Sequence, residues 1–121
     1  MPRVTHFELH ALDPDRAADF YRAVFGWKIE KWPGPVEYWL ITTGDEGEPG
    51  IDGGIDRREG ALPSNVVVDV ASVDDVTEAV VAAGGRVVSP RVAVPGVGYA
   101  AYYEDTEGIG FGVMQSDPGA A

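Results

Sequence analysis

Cysteine is absent from this chain of 121 residues. That excludes disulfides, thiolate nucleophiles and every cysteine-based zinc or iron–sulfur site. Positive charge is scarce: 9 Lys plus Arg stand against 20 Asp plus Glu, a formal net charge of -11. So acidic a surface repels phosphate backbones and anionic headgroups, and neither nucleic acid nor a membrane is an expected partner. Long apolar runs are missing too. The opening MPRVTHFELH lacks the apolar stretch of a secretory signal, and no segment has the length to cross a bilayer, so a cytoplasmic location is expected. No GxGxxG follows a strand and opens a helix, no GxxxxGK[ST] is present, and none of Ser64, Ser72, Ser89 or Ser116 sits in a nucleophile motif.

What remains is an ordinary globular balance, with 45% apolar and 24% charged residues. The length suits a single domain that buries roughly two-thirds of its unfolded surface. The 16 glycines and 9 prolines imply short elements and tight turns. Val4 to Ala11 alternates, Phe7 and Leu9 on one face and His6, Glu8 and His10 on the other, which predicts a half-buried strand. Asp13-Pro14 then caps a helix over 14–25, with Ala17, Phe20, Tyr21, Val24 and Phe25 at one-face spacing and Gly26 as its stop. Short extended pieces follow at 27–31, 36–43 and 50–56. A second strand over 65–71 leads to a helix that Ser72 caps, striped by Val73, Val76, Val80 and Ala83 and closed by Gly84-Gly85. Three strands are expected after it, at 86–89, 98–104 and 109–115.

The halves repeat. Helix-ending Gly26 and Gly84 are 58 residues apart, as are Gly50 and Gly108, the turn glycines before each half's last strand. The expected fold is therefore α+β, two βαβββ modules whose curved mixed sheet encloses a cavity with the helices outside. A ferredoxin-like or other α+β sandwich without a cavity is the alternative. The expected organisation is one domain over 1–121: module one about 1–57, a connector about 57–63, module two about 64–116 and a frayed tail 117–121.

The run from Asp13 to Trp27, DPDRAADFYRAVFGW, resembles the first helix of the vicinal oxygen chelate superfamily, which includes glyoxalase I, extradiol dioxygenases, bleomycin-resistance proteins and methylmalonyl-CoA epimerase. The stretches 84–88 and 95–108 resemble its second half, and Gly50–Gly54 resembles a motif of small glyoxalase-like proteins. Metal-dependent members hold one divalent ion with four His or Glu residues, from the first and last strand of each half. On that pattern His6 falls on the first position, but Asn65 stands at its second-half equivalent, and Gly54 and Gly112 at the closing positions. Glycine offers no ligand atom, and an amide is a poor substitute for imidazole or carboxylate. No metal or other cofactor is expected; if one divalent ion is bound, His6 and Asp52 are its candidate ligands.

The resemblance implies a small organic ligand and a homodimer. Bound without a metal, that ligand is either sequestered or processed by a lyase- or isomerase-type proton transfer, with His6 and Glu8 as the candidate catalytic residues. The alternative function is a metal-dependent lyase, isomerase or dioxygenase of the glyoxalase type, built around His6. Trp39, Asp52, Asn65, Asp69, Tyr99 and Tyr103 are candidate ligand-binding residues, the aromatics as walls for an apolar compound. Parity leaves open which of Tyr38 or Trp39, and of Tyr102 or Tyr103, turns inward. His10 reads as an exposed strand end, and Gly53 and Gly54 as places where withheld side chains keep a wall open.

Overall fold

The computed structural model describes residues 2–57 and 64–121; past Arg57, the expected connector lies outside the described residues. The helices form where capping chemistry is written. Asp13 Oδ1 accepts from the Arg16 amide at 3.2 Å and Pro14 opens α1 (Pro14–Phe25), which Gly26 ends at φ 70. Ser72 Oγ accepts from the Asp75 amide at 3.2 Å to open α2 (Val73–Ala82). The strands are β1 (Arg3–Ala11), β2 (Lys28–Lys31), β3 (Trp39–Thr42), β4 (Gly53–Arg57), β5 (Ser64–Asp69), β6 (Arg86–Val94), β7 (Gly98–Glu104) and β8 (Gly110–Ser116). The chain is α+β, and no helix among the described residues is long and apolar enough to span a membrane.

Two compact units divide it: residues 6–65, and residues 66–121 with the chain's start. In the first, the strands run β2-β3-β4-β1, antiparallel except that β4 pairs β1 in parallel. In the second, the order β5-β8-β7-β6 has the same pattern, with β5 and β8 parallel. The 58-residue repeat is thus a repeat of topology: strand, helix and a three-stranded meander that returns beside the first strand.

Each unit has its own core between helix and sheet. In the first, Ala18, Ile29, Trp39, Ile41 and Ile55 are buried, with Phe7, Leu9, Ala17 and Tyr21 packed against them. The buried side of α1 is therefore Pro14, Ala17, Ala18 and Tyr21, whereas Phe20, Val24 and Phe25, expected on that face, stay exposed. The smaller alanines let the helix lie close to the sheet, and the bulkier residues lie outside that contact. In the second unit Val73, Ala101, Tyr103 and Val113 form the core, joined by Val68, Val76 and Val80 as the valine stripe predicts.

Two further expectations are corrected. Gly53 and Gly54 do not keep a wall open. A Cβ on Gly53 would lie 2.6 Å from the Phe7 ring, and one on Gly54 would lie 2.0 Å from the Tyr38 hydroxyl, so both spaces are filled by aromatic rings. Nor is the C-terminal tail frayed: the Asp117 amide donates to Val97 O at 2.9 Å, the Gly96 amide donates to Ala120 O at 3.0 Å, and Ala120 is buried.

Removing residues 117–121 is accordingly expected to cost about 1–3 kcal/mol, from two lost backbone bonds and the burial of Ala120, measured as a lower denaturant midpoint at unchanged slope. Gly54→Ala forces Tyr38 to move and is expected to destabilise by about 1–3 kcal/mol. A Gly54→Ala/Tyr38→Ala double variant should recover most of that loss relative to Tyr38→Ala alone, and strict additivity would contradict the packing described.

Candidate functional site

Alternation along β1 divides its side chains: Phe7 and Leu9 go under α1, and His6, Glu8 and His10 to the helix-free face. The parallel register sets Glu8 beside Gly54 and His10 beside Asp56. Because Trp39 and Ile41 belong to the helix-side core, Tyr38 belongs to the opposite face, where its ring covers Gly54.

The Tyr38 hydroxyl lies 2.6 Å from His6 Nε2 and donates to Glu8 Oε2 at 3.2 Å. A phenol has one proton. With it given to the carboxylate, the oxygen accepts from His6 Nε2–H, so the lone pair of the neutral imidazole lies on Nδ1. Burial lowers the His6 pKa below its usual value, partly offset by the Asp52 carboxylate, which raises it. Glu8 is buried, and Tyr38 stacks on the His6 ring with centroids 6.3 Å apart.

A second cluster lies further along the same face. Asp56 Oδ1 accepts from His10 Nδ1 in a short contact, and Asn65 Nδ2 lies 2.6 Å from His10 Nε2. The His10 side chain keeps only 12% of its exposure, so it is not the exposed strand end expected of it. Asn65 is 7% exposed, and its Oδ1 has no hydrogen-bond partner among the described residues.

The other candidates lie elsewhere. Asp52 is exposed, its Oδ1 accepting from the Thr43 amide at 2.9 Å. Asp69 is exposed at the end of β5. Trp39, Tyr99 and Tyr103, expected as ligand walls, are instead turned to the helix side: Trp39 is 4% exposed in the first core, Tyr99 packs on the second, and Tyr103 is fully buried there with its hydroxyl 2.7 Å from Thr77 Oγ1 on α2. The register decides what parity could not, setting Tyr102 opposite Gly112 on the face away from Tyr103. Sequence reasoning left Tyr38 undecided and passed over Asp56. The available signal was a parallel pairing of first and last strands, which puts residues 8 and 10 beside 54 and 56.

These residues do not fit a divalent ion. At Gly54, a closing position of the ligand pattern, the space is taken by a phenol ring, and His6 Nε2 is committed to that phenol. Among the described residues no three His, Asp or Glu side chains converge as a metal site requires.

Residues 3–44 match a family model described as bleomycin resistance protein-like N-terminal. A search of curated proteins finds no match to the chain. Among solved structures, the chain resembles a Streptomyces coelicolor methylmalonyl-CoA epimerase variant in complex with 2-nitronate-propionyl-CoA, at 17% identity over 98% of this chain and 97% of that one, with a TM-score of 0.66. The epimerase from Mycobacterium tuberculosis matches at 14% identity over 94% and 87%, with a TM-score of 0.63. A Legionella pneumophila chain named NAD-dependent benzaldehyde dehydrogenase matches at 14% over 93% and 98%, with a TM-score of 0.66. Identities this low speak to fold and leave activity to the side chains. Over residues 3–44 the chain is thus similar to the bleomycin resistance protein-like family, and its fold is the one these solved structures share.

Proposed function

We propose that this protein binds a small organic molecule against the helix-free face of its first module, without a catalytic metal ion. The observation that carries the reading is the His6–Tyr38–Glu8 array, in which a phenol stands where the metal-dependent pattern requires a ligand. The array offers one open basic atom, His6 Nδ1, on an imidazole that burial keeps neutral. Glu8 anchors the phenol, and the phenol fixes the imidazole tautomer. Such an arrangement accepts a hydrogen bond from a bound compound. If chemistry follows binding, it accepts a proton in a lyase- or isomerase-type step. Sequestration and proton transfer share this geometry, and turnover of the bound compound distinguishes them.

A cytoplasmic location and a homodimer belong to the same proposal. Exposed Phe20, Val24 and Phe25 on α1 supply apolar area that a second copy would cover.

The test is a thermal-shift screen against aromatic and polyketide-like compounds, with the wild type, His6→Ala and Glu8→Ala in parallel. A binder should raise the wild-type Tm, and His6→Ala should weaken its affinity about tenfold or more, the loss of a hydrogen bond worth about 1.4 kcal/mol or more. Stabilisation unchanged in both variants would remove these residues from the site.

The pH dependence has a definite sign. The folded His6 pKa lies below 6.5, so on acidification through that value the unfolded chain takes up the proton first and stability falls. His6→Gln should flatten this part of the stability–pH curve, and a wild-type stability that rises on acidification below 6.5 would contradict the assignment.

A further inference from the structure

Asn65 is a buried amide with one end held and the other without a partner among the described residues, and this carries an inference beyond the His6 array. We propose that Asp56 and His10 act as a positioning chain that fixes the Asn65 carboxamide, so that its Oδ1 stands as an acceptor for an O–H or N–H group of the bound molecule. The inference rests on the reading that a small molecule binds on this face.

Leaving a buried amide oxygen unpaired costs about 1–3 kcal/mol, and native proteins rarely tolerate it without a ligand or water to supply the missing donor. Asn65 is 7% exposed, and among the described residues Oδ1 lacks that donor. With His10 neutral, the amide cannot simply be reversed. Turning it would put Oδ1 against His10 Nε2, which then needs a proton, while Nδ1 already donates to the Asp56 carboxylate. A neutral imidazole has one N–H. Asp56 holds it on Nδ1, so Nε2 keeps its lone pair and receives Asn65 Nδ2–H. Reversal would also leave an NH2 group buried in place of a single carbonyl oxygen. Asp56 thus sets the tautomer, the tautomer sets the amide, and the amide sets the chemistry offered: an acceptor, suited to alcohols, phenols, amides and amines.

The described groups around His10 come from three strands: Asp56 on β4, Asn65 on β5, and Glu8 and His6 on the same face of β1. Each of the last two already contacts the Tyr38 hydroxyl, so neither is needed to hold the amide.

Nitrogen-15 NMR of the whole chain at neutral pH tests the chain of contacts without any ligand. The expected result is a His10 ring protonated on Nδ1 alone, with a scalar coupling across the hydrogen bond between His10 Nε2 and Asn65 Nδ2. Asp56→Ala should convert His10 to a tautomer mixture and weaken that coupling. Asp56→Asn, which keeps an acceptor at Nδ1, should preserve both and serves as the folding control. A wild-type His10 protonated on both nitrogens, or on Nε2 alone, would overturn the proposal.

Phenol and its methyl ether, anisole, then probe the acceptor. Phenol should shift the Asn65 side-chain signals at concentrations where anisole does not, and Asn65→Leu should weaken phenol binding at least tenfold. Equal shifts from both compounds, or from neither, would overturn the acceptor role. Compounds from the thermal-shift screen that bind through His6 regardless would leave the reading of the face intact while this inference fails.

Discussion

The parallel pairing of β1 with β4 is the constraint on which the candidate site depends. It sets Glu8 beside Gly54 and His10 beside Asp56, so that of the two β4 positions on their face one is glycine and the other aspartate. Because Gly54 has no side chain, the Tyr38 ring can lie over it and reach both His6 and Glu8. Because Asp56 has a carboxylate, His10 is drawn inward and becomes a structural partner of Asn65. Moving the register by one residue would exchange every one of these groups with the core.

The consequence is a division of labour between two imidazoles on one strand. His6 has one nitrogen tied to a phenol, and among the described residues no hydrogen bond holds the other, which the proposal makes the acceptor or base. His10 has both nitrogens engaged and can only position. The β-sheet scaffold is common to proteins with very different ligands, so these local commitments carry the functional argument. In this chain the proposal turns on a phenol that is hydrogen-bonded to His6 and Glu8 and lies over Gly54.

Much of this was legible in the sequence. Both helices follow from their caps and stop glycines, and the matched spacing of those glycines announces two modules of the same topology. Alternation separated His6, Glu8 and His10 from Phe7 and Leu9, because period two is a local property of a strand. What alternation cannot supply is phase where a strand is short and entered from a loop. β3 is only four residues long, so whether Tyr38 or Trp39 faces the core depends on β4, which lies across the sheet. Tyr99 and Tyr103 lie on the longer β7, where alternation puts them on one face but only the packing of α2 shows that this face is the core. Asp56 went unnoticed because its partner is 46 residues away, and only the strand pairing brings them together. On α1 the spacing placed Ala17 and Tyr21 correctly but not Phe20, Val24 and Phe25, because spacing does not say how closely the helix approaches the sheet, and close contact selects Ala17 and Ala18.

The central claim is that His6 Nε2 is committed to a phenol and not to an ion. Elemental analysis of the protein purified without chelator tests it most directly, with His6→Ala measured alongside. The account predicts zinc, nickel, manganese and iron all far below one ion per chain, and the same in the variant. A near-stoichiometric divalent metal that disappears with His6 would contradict it.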